Sequence, residues 1–229
     1  MPSPVRRIVP VLVAAAVVMS AGCDDHSRGA EPRDDKPLTR KELAKALLRD
    51  SDVPGLSADV GPGLPLFDRD DVVTASPPTC QPLADMMSVR PRHPRTALVW
   101  EVLDGVRGAG GKTSGSVALS SHTTAEAQAW MADLAKALPH CGTFEATSAA
   151  GWDYTFTVQA LAPVKAGDQS VSYLITNSTA PGGKGNVESV IRTGGTLSTF
   201  LLQQGEDRPA AVPEAIAREQ HERLLTVRR

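Results

Sequence analysis

The residues of this chain with the most chemistry in them are three cysteines, Cys23, Cys80 and Cys141, and five histidines, His26, His93, His122, His140 and His221. A zinc site draws such residues together at short, regular spacings. Neither Cys80 nor Cys141 lies in a Cys-x-x-Cys pair, His140 is a single neighbour of Cys141, and the histidines share no ligand spacing. His221-Glu222 begins like a zinc-protease helix, but Leu225 stands where the second histidine is needed. Asp68, Asp70 and Asp71 start like a calcium loop, yet Val72 and Val73 fall where its ligands must continue. The glycine-rich run from Gly105 to Thr113 has Val106 where a phosphate loop requires glycine, and reads instead as a flexible hairpin loop. No Gly-x-Ser-x-Gly elbow is present. The expectation is therefore no catalytic residue, no metal ligand set and no cofactor.

Cys23 has a different context. Arg6 and Arg7 supply a positive charge, Ile8 to Met19 an apolar run too short to span a bilayer, and Ser20-Ala21-Gly22 a small-residue stretch ending at the cysteine. This resembles the lipobox of bacterial lipoproteins, with Ser20 in place of the larger aliphatic residue more typical there. The resemblance implies that residues 1–22 are a signal peptide, that the Cys23 thiol takes diacylglycerol, and that cleavage leaves Cys23 as the N-terminus with palmitate-type chains in the membrane. Each buried methylene contributes about 0.8 kcal/mol, so two or three chains hold firmly. The Arg6-Arg7 pair suggests twin-arginine export, but its flanks fit that pattern poorly and the general secretory route is the expectation. The protein is then expected on the extracytoplasmic face of the cell membrane.

Export bears on the remaining thiols. With Cys23 given to lipid, Cys80 and Cys141 are an even pair in an oxidising compartment, and a disulfide is expected over a metal site or a catalytic thiol. Two of the 24 basic residues and none of the 26 acidic ones lie in the leader, so the exported part is mildly acidic. Nucleic-acid binding calls for a basic stripe, which is missing. A content of 41% hydrophobic and 22% charged residues fits one globular domain.

Residues 23–37 carry the lipidated cysteine and a polar, charged stretch that reads as a tether, and a single domain is expected over 38–229. Thr39 with Glu42 and Thr123 with Glu126 are capping boxes. The first opens a short helix to about Arg49. The second opens a longer one, with Ala127, Trp130, Met131, Leu134, Ala137 and Leu138 on a core-facing stripe that Pro139 ends. Ser51 to Pro78 reads as an irregular connection leading to a helical turn through Met87. Strands are expected at Thr96–Leu103, Ser116–Ser120, Phe144–Thr147, Trp152–Gln159, Val171–Thr176, Val187–Arg192 and Thr196–Gln203, and a final helix over Pro213–Val227. Trp100, Trp130 and Trp152 all fall in elements expected to be core, which argues against an aromatic-lined site.

The pattern is similar to the PknH-like extracellular sensor domains of actinobacteria. The matching features are Pro78-Thr79-Cys80, the Trp130-bearing helix ending in Cys141-Gly142-Thr143-Phe144, Gly167-Asp168-Gln169-Ser170, and Val190-Ile191-Arg192-Thr193-Gly194. The resemblance implies an α+β fold, a twisted antiparallel sheet of about five to seven strands packed with two or three main helices, and a cleft for an unidentified ligand. The functional expectation is a membrane-anchored, sensor-like, ligand-binding domain without catalysis. An envelope protein-interaction module and an unrecognised hydrolase are the alternatives.

Overall fold

Between Thr96 and Leu103 apolar residues fall on both faces of a strand, with Leu98, Trp100 and Val102 on one and Ala97, Val99 and Leu103 on the other, so helices must cover the sheet from both sides. The computed structural model describes residues 36–60, 72–108, 111–179, 185–203 and 212–229. The leader, Cys23, nearly all of the tether, and Asp68, Asp70 and Asp71 lie outside the described residues. The described residues all fall within one compact unit, Pro32–Arg229.

Four helices are described: α1 (Arg40–Ala46), α2 (Gln81–Met87, preceded by a helical turn over Pro78–Cys80), α3 (Thr124–Ala137) and α4 (Glu214–Arg228). The strands are β1 (Ser57–Val60), β2 (Val73–Ser76), β3 (Ala97–Gly108), β4 (Gly111–Ser121), β5 (Thr143–Ser148), β6 (Asp153–Leu161), β7 (Gln169–Asn177), β8 (Asn186–Thr193) and β9 (Thr196–Gln203). They form one sheet in the order β1-β3-β4-β9-β8-β7-β6-β5-β2, and each neighbouring pair is antiparallel.

The α+β class stands, but nine described strands exceed the five to seven expected. The two extra strands come from the stretch read as irregular. β1 and β2 are four residues each and form the opposite edges of the sheet. Four residues give too little alternation to show against Pro, Gly and Asp, and short edge strands blunt the open hydrogen-bonding rim. The expected loop from Gly105 to Thr113 is also mostly strand. β3 and β4 pair out to Gly108 and Gly111, past an irregularity between Leu103 and Val106 where Gly105 takes a φ of 77°.

Two apolar clusters fill the two sides. On one, α1 and α4 cover Leu103, Val117, Leu119 and Phe200; on the other, α2 and α3 cover Phe144, Phe156, Ile175 and Leu197. Thr39 and Glu42 make the full reciprocal box at α1. At α3 only half of it forms: Thr123 accepts from the Glu126 N–H at 3.2 Å, while the Glu126 side chain goes to His93. The C-terminal carbonyls of α1 are met by α4, where Gln220 donates to Ala46 at 2.7 Å and Arg223 to Lys45 at 3.0 Å. The Cys80–Cys141 disulfide is present and ties the start of α2 to the end of α3 across 61 residues. Pro32–Arg229 thus contains both cores and its own crosslink, which is what a domain needs to fold alone.

Candidate functional site

The β4 strand carries two different faces. Val117 and Leu119 point toward α1 and α4 and are fully buried, whereas Ser116, Ala118 and Ser120 alternate with them and face α2 and α3. Small side chains under a helical roof leave volume unfilled. Here they floor a partly open cleft of about 290 Å³. Register places Leu98, Ser120 and Leu197 in one row, Trp100, Ala118 and Thr199 in the next, and Ser116, Leu201 and Glu188 in a third. From Leu197 to Leu201 the floor runs about 13 Å at roughly 3.4 Å per residue. Met86, Met87, Val89 and Trp130 form the roof.

The wall is mainly apolar, with polar groups at its two ends. At one end Arg95 donates to the Ser88 carbonyl at 2.8 Å and lies 5.6 Å from the centre of the Trp130 ring. Burial lowers its guanidinium to about 10 against an opposing pull from Asp85, so it stays charged at neutral pH. At the other end stand Glu188, Asn186 and Asn177. Glu188 is 5% exposed, and burial raises its carboxyl to about 7 despite the neighbouring Tyr173 hydroxyl. No basic side chain pairs with it among the described residues. Tyr173 is opposite it on β7 and fully buried, and its hydroxyl makes no hydrogen bond of full geometry. Burial first, and then the Glu188 charge, push that phenol well above its ordinary value. The indole N–H groups of Trp100 and Trp130 are likewise buried without a partner.

Trp130 is fixed from behind. His93 stacks on it with ring centres 5.8 Å apart, and His122 meets it edge-on at 5.4 Å. The two nitrogens of His93 are held by Glu126 at 2.8 Å and Asp133 at 3.1 Å, which leaves neither free for a substrate. His122 Nδ1 is 2.9 Å from the Pro94 carbonyl, which only accepts, so Nδ1 carries the hydrogen and Nε2 accepts from the Ser120 hydroxyl at 2.9 Å. This is the hydrogen bond of an activated serine. Desolvation, however, lowers the imidazole to about 4, which makes it a weak proton acceptor at neutral pH.

Several sequence expectations change here. Trp130 is buried in the core as expected but also lines the cleft with Trp100, and Trp152 is 67% exposed, so the expectations of a core Trp152 and of no aromatic-lined site are corrected. β3 packs on both sides and turns Trp100 to the cleft, while Trp152 falls just before β6 begins at Asp153. Among the described residues no group of three or more His, Cys, Asp or Glu could hold a metal. Cys80 and Cys141 brace the roof from its far end. The Gly167-Asp168-Gln169 and Arg192-Thr193-Gly194 motifs meet each other, not the cleft: Arg192 bonds Asp168 at 3.0 Å and Gln169 at 2.6 Å, and Asp168 accepts from the Gly194 N–H at 2.8 Å. What sequence reasoning missed is Ser116, Ala118, Ser120, Thr199 and Glu188. The alternation of small with large residues on β4 was the signal available.

No family model matches this chain, and no curated protein matches it. Among solved structures it is similar to the extracellular domain of PknH from Mycobacterium tuberculosis, with a TM-score of 0.52 and 17% identity, over 84% of this chain and 98% of that one. No described helix is long and apolar enough to cross a membrane. The fold of the described domain is therefore that of the PknH extracellular domain, as the paired cysteines and the two glycine-bearing motifs implied.

Proposed function

We propose that this chain is an exported protein, anchored through lipid on Cys23, whose domain binds an apolar small molecule in the cleft and does no chemistry on it. The observation that carries the reading is the cleft itself. Its floor of Ser116, Ala118 and Ser120, under a roof of methionines and Trp130, leaves an apolar space near the lower end of the usual ligand-pocket range of about 300–1,000 Å³. Similarity in fold to the extracellular domain of PknH supports a sensor-like role outside the cell, and the leader supports anchorage there with residues 23–37 as tether. The Ser120–His122 pair supports binding over hydrolysis, because a neutral and weakly basic imidazole organises the wall without activating the serine.

An environment-sensitive apolar fluorophore titrated into the Pro32–Arg229 domain tests this. Saturable binding that Ala118→Leu removes, with no labelling of Ser120 by a fluorophosphonate, is the expected result. Covalent labelling of Ser120 overturns the reading without catalysis. The exposed Trp152 favours a second reading, contact with another envelope protein; probe binding that ignores Ala118→Leu, with partner capture lost on Trp152→Ala, is the outcome that fits it.

A further inference from the structure

Glu188 is the carboxylate in the wall of the cleft, and none of the described residues gives it a counter-charge. It is only 5% exposed. The charged groups around it are few. Tyr173 faces it from β7, and Arg95 stands at the opposite end of the floor, already donating to Ser88 and lying on Trp130. His93 and His122 are behind the Trp130 ring and not in the wall. Burying a carboxyl without a partner disfavours its ionised form, and the group that relieves this is a cation brought in by a ligand.

The rest of that end has matching chemistry. Asn186 and Asn177 flank Glu188 in the wall, so amide oxygen and nitrogen atoms are within the same polar patch. The Tyr173 hydroxyl, which has no other partner, is placed to donate to the carboxylate once it ionises. Beyond this patch the floor of Leu201, Thr199, Ala118 and Leu197 gives an apolar track about 13 Å long, from roughly 3.4 Å per residue.

We propose, resting on the ligand-binding reading above, that the cleft takes an amphiphile with an apolar body along β4 and β9 and a primary amine docked on Glu188. An alkylammonium brings three N–H donors and one positive charge. Its arrival favours the carboxylate, so near pH 6 Glu188 gives up a proton to solvent as the amine binds. At pH 8 the carboxyl is already largely ionised and no proton is released.

The test uses three probes of one chain length, octylamine, octanol and octanoate, in calorimetric titrations of the Pro32–Arg229 domain at pH 6 and pH 8. Repeating each titration in buffers of different ionisation enthalpy counts the protons. The expected result is that octylamine binds most tightly and releases about one proton at pH 6 and none at pH 8. Glu188→Gln weakens octylamine roughly 10- to 100-fold, the loss of one charge-assisted bond, and abolishes the proton release. An unfolding midpoint and circular dichroism spectrum matching the unaltered domain show that the variant is folded. Octylamine binding that is indifferent to Glu188→Gln and releases no proton overturns the proposal. So does a preference for octanoate that Arg95→Gln removes, although the cleft remains a binding site. Binding of none of the three, octanol included, overturns the ligand-binding reading itself.

Discussion

Tyr173 and Glu188 stand directly opposite one another on β7 and β8, both buried, with the phenol hydroxyl beside a carboxyl that no basic group neutralises among the described residues. Cross-strand pairs of this kind normally stabilise a sheet through packing or opposite charge. This one does neither well: the Glu188 charge makes ionisation of the phenol harder, and the phenol only partly offsets the burial that raises the carboxyl. Such a pair inside a scaffold is a cost in stability, and it falls where the cleft ends.

Filling the cleft should leave the fold intact and remove binding. Ala118→Leu adds apolar volume where β4 has only small residues, so its unfolding midpoint should match or exceed that of the unaltered domain while apolar-probe binding is lost. Parallel thermal unfolding and fluorescence titration check both parts.

Glu101 gives the fold a pH dependence that is separate from the cleft. It lies fully buried on the α1–α4 side, accepts from the Leu48 N–H at 2.9 Å through one oxygen, and leaves the other without a bond. Burial raises it to about 7, against the lowering effects of the Leu48 bond and Arg223. The folded state therefore holds a proton that the unfolded chain releases above about 4.5, and stability falls as pH rises from there through 7. Glu101→Gln should remove that slope, gaining on the order of 2–3 kcal/mol at pH 8 relative to its effect at pH 5. Urea unfolding of both proteins at the two pH values measures it; a parallel shift at both contradicts it.

The disulfide should matter to the roof more than to the sheet. Replacing Cys80 and Cys141 together by Ala frees the start of α2 from the end of α3 and relaxes a closed loop of 61 residues. A loss of about 2–4 kcal/mol is expected from chain entropy. Hydrogen exchange should rise in α2 before β3 or β4. Equal exchange in roof and sheet would argue against a separate role for the crosslink.

Gly167 should tolerate no side chain. Its φ is +71°, and a Cβ there would lie 2.5 Å from the Arg192 carbonyl oxygen and 2.5 Å from a methyl of Ile191. Gly167→Ala should destabilise by about 1–3 kcal/mol through left-handed backbone strain and the forced separation of β7 from β8. Chemical denaturation reads the change directly.

Much of the fold was legible because its signals are local. Capping at Thr39 and Thr123, the stripe on α3 and alternation on β6 each follow from a few adjacent residues. β1 and β2 were not legible, since four-residue edge strands are fixed by their partners β3 and β5 instead of by their own pattern. The cleft was less legible still. Ser116, Ala118 and Ser120 look like the wet face of a strand until α2 and α3 are known to cover them. Glu188 reads as one surface acid among many in the sequence; only the register that sets it against Leu201 and Tyr173 buries it.

The proposed anchorage depends on one atom. With Cys23→Ser, the thiol that would take diacylglycerol is gone, so metabolic labelling with a fatty acid should be lost and the leader should remain or be cut elsewhere. Labelling at the level of the unaltered protein would remove lipid attachment at Cys23 from the account.

The most direct test of the central claim is native mass spectrometry of the Pro32–Arg229 domain secreted by its own host, compared with the same domain carrying Ala118→Leu. The expected result is a retained non-covalent mass on the unaltered domain, lost on denaturation and missing from Ala118→Leu. Two bare polypeptide masses, or the same retained mass on both, would contradict a ligand held over β4 and β9.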